Sequence, residues 1–265
     1  MYPLLDSLAH LDDPRVTNVD ALLKRAAAAG VVGVINGGVD PFEESLEWDL
    51  SPEGSVPLWR AFGIHPLAVG RHPLGRHLEE LNRFLDQGQA VALGEIGLDA
   101  REGFAALDLQ EAFLEAQLEV AAKRRLPVIV HCVQATKRLL EVLRRWETPP
   151  AGGVVHGFSG SPETAREFLS MGYHLSFGGL VTRSNARRCR AAAAVVPLNR
   201  LLIESDCPDH PPANAPHSYS EPASILLTAQ ELASIRGESL EALGEAVSAN
   251  TRALFGLCGA PEMHW

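Results

Sequence analysis

The sequence predicts one (β/α)8 (TIM) barrel of the α/β class, a parallel eight-stranded barrel wrapped by helices, as a single domain over residues 1–265. Two observations support this fold class. Short runs rich in Val, Ile and Leu alternate with segments of helical periodicity along the chain, which is typical of repeated strand and helix units that build a parallel sheet. The length also lies in the range in which such a barrel forms one domain. We find no linker that would divide it.

Each predicted strand is a short apolar run, as expected of strands that are buried on both faces in a parallel barrel. In order, the runs cover residues 2–10, 31–36, 59–64, 90–93, 127–130, 153–155, 173–177 and 200–203. The fourth run ends at a carboxylate, Glu95, which lies between Gly94 and Gly97 and has no adjacent Lys or Arg. A buried carboxylate without a cationic neighbour needs another partner, and a metal ion is one.

Each predicted helix carries apolar residues at helical spacing. The helices cover residues 19–29, 41–50, 78–87, 107–125, 135–146, 162–171, 185–195, 221–236 and 239–255. Gly30 closes the first of them, as glycine commonly does after a helix C-terminus. The Pro-rich segment 207–222 lacks periodicity and follows the eighth strand. We therefore expect it to be a loop on the face that carries the functional site.

The balance of charge excludes a general attraction to polyanions. Lys and Arg number 23 against 33 Asp and Glu, for a formal net charge of −10. Such a surface does not attract nucleic acid or anionic membranes as a whole, so any phosphate binding must be local. The four cysteines form no C-x-x-C pair, and no apolar run approaches the roughly 18 residues of a membrane span. We expect a cytoplasmic monomer that does not associate with membranes.

Six polar residues occupy the ends of different predicted strands: His10, His65, Glu95, His131, His156 and Asp206. Because the C-terminal strand ends of a (β/α)8 barrel converge on one face, we expect these side chains to meet. Neutral imidazoles and carboxylates suit Zn²⁺, Mn²⁺ or Mg²⁺, and a bridging Glu95 could hold two ions. The chemistry indicated is metal-assisted hydrolysis, in which bound water supplies hydroxide near neutral pH.

Two members of this set have more than one interpretation. Asp206 is either a second carboxylate ligand or the general base that accepts the proton of water, with a loop cap as its structural alternative. His65 either hydrogen-bonds a substrate oxygen or is structural. Cys132 and Cys207 lie beside the predicted ligands and are interpreted as core residues.

Several segments together resemble the TatD-type metal-dependent deoxyribonucleases of the amidohydrolase superfamily. These segments are 63–66 (GIHP), 94–99 (GEIGLD), 127–131 (PVIVH), 156–160 (HGFSG), 175–179 (LSFGG), 204–206 (ESD) and 250–256 (NTRALFG). The resemblance runs nearly end to end. It implies a barrel that carries one or two divalent metals and hydrolyses phosphodiesters in DNA, with Glu95, His131, His156 and Asp206 at ligand positions.

The chain departs from that family's usual pattern at three places. Leu8 stands where the first strand usually offers an imidazole, Val133 where the fifth-strand motif carries Arg, and Ser220 where an Asn precedes Glu-Pro. The resemblance therefore predicts one tightly held ion at Glu95, His131 and His156, and a second that is absent or weak. Near the mouth of the site, Arg101 and Arg183 are the basic residues expected to hold phosphates.

The leading hypothesis is a metal-dependent phosphodiesterase or 3′-5′ deoxyribonuclease that acts on DNA ends, in single-stranded form. Two alternatives remain open. One is a metal-binding barrel that has lost catalysis and serves as a partner protein. The other is an amidohydrolase of a small substrate, which would fit the acidic charge and the missing basic residues.

Overall fold

In a computed structural model of the chain, residues 3–43, 56–146 and 151–257 are described. Within these ranges eight parallel strands pair in chain order. They are β1 (Leu4–Ala9), β2 (Val31–Gly37), β3 (Leu58–Phe62), β4 (Ala90–Asp99), β5 (Val128–Val133), β6 (Gly153–Val155), β7 (His174–Phe177) and β8 (Leu201–Ile203). The end of β8 returns to β1, where the amide of Asp206 donates to the carbonyl of Leu8 at 3.0 Å. The predicted barrel is confirmed.

Helices lie on the outside of the barrel and follow the strands, although none is described between β2 and β3 and two follow β8. In order these are α1 (Val19–Ala28), α2 (Leu74–Leu85), α3 (Leu107–Arg124), α4 (Thr136–Arg145), α5 (Pro162–Ser170), α6 (Arg187–Val195), α7 (Ile225–Arg236) and α8 (Leu240–Phe255). Short 3-10 turns cover Gly179–Thr182, Leu198–Arg200 and Pro222–Ser224. None of the described helices is long and apolar enough to cross a membrane.

Some boundaries differ from the sequence prediction. β4 continues to Asp99 instead of ending at residue 93, because the chain stays extended past Gly94 and pairs with β5, with a register shift between Leu93 and Ile96. Glu95 therefore lies within a strand, where an end was predicted. α2 begins at Leu74, before the predicted residue 78. Of the predicted helix 41–50, only 41–43 are described, and they form a turn.

Apolar side chains fill two layers. The larger cluster packs the outer faces of the strands against the helices and includes Leu23, Phe84 and Phe113. The smaller one fills the barrel interior, where Leu8 and Ile129 are fully buried. Such an interior is a packed core rather than a pore. Polar side chains are thereby left to gather at the C-terminal ends of the strands.

Candidate metal centre

The structure brings together the six polar residues predicted from the strand ends. His10 and His156 follow β1 and β6 directly, while Glu95 and His131 lie within β4 and β5. His65 and Asp206 sit on the loops that follow β3 and β8. All six point to one end of the barrel, as the expected convergence requires.

Glu95 is the centre of this arrangement, with only 1% of its side chain exposed. Its Oε1 lies 2.6 Å from Nε2 of His10. Its Oε2 lies 2.6 Å from Nε2 of His156 and 3.4 Å from Nδ1 of His131. Among the described residues, no Lys or Arg pairs with Glu95. Its Oε1 thus faces one imidazole, that of His10, while its Oε2 faces those of His131 and His156.

Two groups of side chains that share Glu95 have ligand atoms close enough to hold a cation, within 4.8 Å of one another. These groups are His65, Glu95 and His131 on one side, and His10, Glu95 and Asp206 on the other. A third group joins His156, Glu204 and Asp206. The chemistry of these oxygens and imidazole nitrogens suits a borderline or hard divalent ion.

Unpartnered buried atoms at this centre fit such an ion. In the part of the chain that the structure describes, Oε1 of Glu95, Nδ1 of His156 and Oε2 of Glu204 are buried and make no well-aligned hydrogen bond. Oε1 of Glu95 and Nδ1 of His156 keep only ion-pair contacts, at 2.6 Å to His10 and 3.5 Å to Glu204. A buried polar atom left without a partner costs about 1–3 kcal/mol. A cation coordinated by Glu95 would relieve part of that cost. The residues present therefore fit a divalent metal.

The imidazoles are oriented by acceptors on their outer side. Nδ1 of His10 lies 3.0 Å from the carbonyl of Gly37, and Nε2 of His131 lies 3.0 Å from Oδ2 of Asp99. Each of these outer nitrogens carries a proton, so the inner nitrogen that faces Glu95 is the one that would present its lone pair to a bound metal. A histidine that ligates a metal almost always donates its other N–H to such an acceptor.

His65 has the opposite arrangement. Its Nδ1 accepts a hydrogen bond from the amide of Leu67 at 3.0 Å, which places the ring proton on Nε2. That Nε2 lies 3.8 Å from Oε2 of Glu95. Burial lowers the pKa of His65 to about 3, so the ring is neutral at physiological pH. Although His65 is close enough to belong to a metal group, its tautomer makes it a hydrogen-bond donor.

The charges at the centre are strongly coupled. Burial opposes ionisation of Glu95, but the neighbouring His156 and His10 outweigh it and hold the pKa of Glu95 well below its usual range. Burial likewise opposes protonation of His10 and His156, yet Glu95 raises the pKa of both well above the usual value. Without a metal these imidazoles retain protons, which metal binding must release.

Two carboxylates of this centre were not predicted from the sequence. Asp99 contacts His131, and Oε1 of Glu204 accepts from the amide of Gly157 at 2.6 Å while lying 3.5 Å from Nδ1 of His156. Glu204 directly follows β8, so the rule that identified Asp206 could have included it. Asp99 gave no such signal, because β4 was predicted to end before it.

The two predicted phosphate-binding arginines differ in their surroundings. Arg101 forms a bidentate ion pair with Asp99, with its Nη2 2.5 Å from Oδ2, so its charge is already compensated. Arg183 is exposed and makes one long contact of 3.5 Å with the carbonyl of Pro211. Among the described residues, no carboxylate lies within salt-bridge distance of Arg183.

Leu8 is fully buried beside His10. A Cβ placed on Gly37 would lie 2.5 Å from Cδ1 of Leu8 and 3.3 Å from Cε1 of His10, so the two side chains border the same small space. The side of the centre that contains His10 is therefore bounded by an aliphatic group where a further ligand could stand.

Comparison with known proteins agrees with this geometry. A family model described as TatD related DNase matches residues 5–256. A protein of Escherichia coli K12 named uncharacterized metal-dependent hydrolase YjjV is 34% identical, over 95% of this chain and 97% of that protein. The 3′-5′ ssDNA/RNA exonuclease TatD of Erwinia billingiae is 32% identical, over 90% of this chain and 93% of that protein.

The crystal structure of YjjV from E. coli K12 superposes with a TM-score of 0.89 at 33% identity, covering 97% of this chain and 98% of that one. The family that the sequence motifs resemble is thus confirmed over nearly the whole length. The chain belongs to the TatD family of metal-dependent hydrolases, enzymes that act on ester bonds.

Proposed function

We propose that this protein is a phosphodiesterase that requires a divalent metal and removes nucleotides from the 3′ ends of single-stranded DNA. The observation that supports it best is the orientation of His10 and His131, whose inner nitrogens converge on Glu95. Relatives named 3′-5′ ssDNA/RNA exonuclease support the choice of substrate. The protein is proposed to be one domain that acts in the cytoplasm as a monomer.

The residues that would hold the metal are those of the centre. His131, His156 and Glu95 form the stronger position, and His10, Glu95 and Asp206 the weaker one. Mg²⁺, Mn²⁺ or Zn²⁺ is the proposed ion, since the donor set combines imidazole nitrogens with carboxylate oxygens. When bound, such an ion polarises a phosphoryl oxygen and lowers the pKa of water enough to provide hydroxide near neutral pH.

Asp206 is proposed to accept the proton of the attacking water. Its side chain is 13% exposed, and one of its oxygens lies 3.7 Å from Nε2 of His10. It adopts a φ of 51°, in the left-handed region that a non-glycine residue occupies at a cost of about 1–3 kcal/mol. Its amide is tied to the carbonyl of Leu8. The carboxylate is thereby held beside the centre and within reach of solvent.

His65 is proposed to orient the substrate. The proton on its Nε2 and the lowered pKa allow it to donate a hydrogen bond to a phosphoryl oxygen without adding charge. Arg183 would provide a local positive charge at the mouth, where the net charge of the protein is unfavourable. Arg101 is proposed to contact phosphate more weakly, because Asp99 already neutralises it.

The test is the degradation of a single-stranded DNA labelled at its 5′ end, with Mg²⁺ or Mn²⁺. We expect stepwise shortening from the 3′ end, which stops when EDTA is added. Asp206→Asn purified in parallel is the control for a contaminating nuclease. Turnover of a small ester or amide without any DNA binding would instead favour the amidohydrolase, and no turnover of any substrate would favour a partner protein.

A further inference from the structure

A cavity of about 560 Å³ lies between the start of α1 and the loop that follows β8. We call it the α1 groove. Its walls combine apolar groups with polar side chains, among them Val16, Asn18, Leu22, Pro208, Ser218 and Tyr219. Its size lies in the range of sites that bind small organic groups.

We propose that the α1 groove binds the base of the nucleotide next to the scissile phosphodiester, an inference that rests on the proposed function. The first argument is continuity with the metal centre. Cys207 and Pro208 line the groove and directly follow Asp206. The carbonyl of Cys207 also accepts from the amide of His10 at 2.8 Å. A nucleotide whose phosphate lies at the centre could therefore extend into the groove.

The charges in the groove favour a neutral group over a phosphate. Two arginines line it, and both are already paired. Arg15 contacts Asp13 and Asp209 at 2.7 and 2.8 Å, and Arg25 contacts Glu221 at 2.6 Å. Their guanidinium groups do not offer an uncompensated charge for a second phosphate. A planar, uncharged ring with polar edges suits the groove better.

Tyr219 supplies the surface for such a ring. It is 41% exposed, a large fraction for an aromatic side chain. It stacks on His217, with ring centroids 5.0 Å apart and planes 7° from parallel. Because His217 is not among the groove residues, the stack supports Tyr219 from outside. Exposed aromatic rings stack with nucleobases of any sequence.

The groove is held in shape before a substrate binds. Oγ of Ser220 donates to the carbonyl of Ser205 at 2.7 Å, and the amide of Ala213 donates to Oγ1 of Thr182 at 2.7 Å. The ion pair of Arg15 with Asp209 joins the two sides. A preformed site loses less entropy when a ligand binds, so stacking there would contribute directly to affinity.

The test compares two short single-stranded DNAs whose last linkage is a slowly hydrolysed phosphorothioate, one with a normal 3′-terminal base and one abasic. Binding is measured by fluorescence anisotropy in Mg²⁺. We expect the wild-type protein to prefer the normal DNA by about 5- to 150-fold, the range for loss of one stacked base. Tyr219→Leu should remove this preference, whereas Tyr219→Phe, which keeps the ring, should retain it.

Val195→Ala, a change of an exposed apolar residue on α6, serves as the control and should bind as the wild type does. Thermal melts verify that each variant is folded. If Tyr219→Leu weakens both DNAs equally or neither, the base is not in the groove, although the proposed function would stand. If the wild-type protein binds no DNA and cleaves none, the groove assignment and the proposed function both fail.

Discussion

Nε2 of His131 lies 3.0 Å from Oδ2 of Asp99, and both side chains are almost completely buried. Burial opposes the charge on Asp99, but hydrogen bonds from His131 and Arg101 hold its pKa below the usual range. The ionised carboxylate keeps the proton of His131 on Nε2. Nδ1 is then the ring nitrogen that faces Glu95 and His156, at 3.4 and 3.1 Å, and that is available to a metal.

The first prediction follows from this contact. Asp99→Ala should weaken metal binding by about 10- to 100-fold, the range observed when the partner of a metal-bound histidine is removed. Asp99→Asn, which keeps an oxygen acceptor for His131, should lose less metal affinity than Asp99→Ala. Competition with a fluorescent chelator measures the affinity. Arg101→Gln is the control, since Arg101 contacts Asp99 but not His131 in the structure; an equal loss in Arg101→Gln would assign the effect to the ion pair instead.

The second prediction concerns the number of metals. On the side of His10, the centre offers His10, the shared Glu95 and Asp206, and Leu8 borders it. We expect elemental analysis of the wild-type protein to find about one tightly held ion per chain. Leu8→His should raise occupancy of the second position and increase hydrolysis, provided the ring fits beside Gly37.

Leu8→Ile is the matched control for the second prediction, because a swap between these residues usually costs less than about 1.5 kcal/mol. It should leave the metal content unchanged. Two fully occupied ions in the wild-type protein would contradict the prediction, and would mean that water or a residue such as Asp6 replaces the lost ligand.

The positions of the strands were predictable because each strand is a compact apolar run. The convergence of the six polar side chains was predictable because the strands of such a barrel end on one face. Glu95 shows which part of the site the sequence predicts and which part it does not. Its need for a partner was visible from Gly94, Gly97 and the lack of neighbouring cations. Its place inside β4 was not, because glycines are weak strand formers and the extension depends on pairing with β5.

Other parts of the site depend on contacts between distant segments. The role of Asp99 is set by its contact with His131 and does not follow from local sequence. Glu204 could have been predicted from its place directly after β8, but its contact with His156 could not. The α1 groove is closed by the ion pair between Arg15 and Asp209, two residues that lie 194 positions apart in the sequence. The ion pair that compensates the charge of Arg101 likewise depends on the orientation of the Asp99 side chain, which only the structure gives.

The third prediction tests Asp206 as the proton acceptor. Asp206→Asn should lower kcat by at least about 100-fold, since a positioned base contributes about 10²–10⁴-fold. Asn keeps the shape of the side chain, so the affinity for DNA should change little. Steady-state kinetics on single-stranded DNA separate kcat from KM. A normal kcat in this variant would mean that the observed activity comes from another nuclease or uses another base.

The fourth prediction separates a nuclease from a hydrolase of small molecules. Binding of single-stranded DNA should weaken as salt rises, with a slope of log K against log salt of about −0.7 for each phosphate contacted. Arg183→Gln should reduce this slope by about that amount, whereas Arg101→Gln should change it less. If the wild-type protein, Arg183→Gln and Arg101→Gln all show the same slope, Arg183 does not contact phosphate.

The last prediction concerns Asp6. Its side chain is fully buried at the base of the site. Oδ1 accepts from the amide of Ser205 at 2.8 Å and from that of Leu8 at 3.3 Å, while Oδ2 has no hydrogen bond among the described residues. Burial raises the pKa of Asp6 to about 8, despite these hydrogen bonds. The folded protein therefore holds a neutral carboxyl group at pH values where the unfolded chain ionises.

A raised pKa of this kind stabilises the fold below the ordinary carboxyl pKa, and the contribution is lost as pH rises through the pKa of the folded state. Between about pH 5 and pH 8, the free energy of unfolding of the metal-free wild-type protein should fall relative to that of Asp6→Asn, by up to about 1.4 kcal/mol per pH unit. Asn keeps an oxygen for both amides and does not ionise. Urea unfolding in EDTA at several pH values measures the difference, with Asp20→Asn on the exposed surface of α1 as the control. A difference between wild type and Asp6→Asn that does not change with pH would show that Asp6 is already ionised in the folded protein.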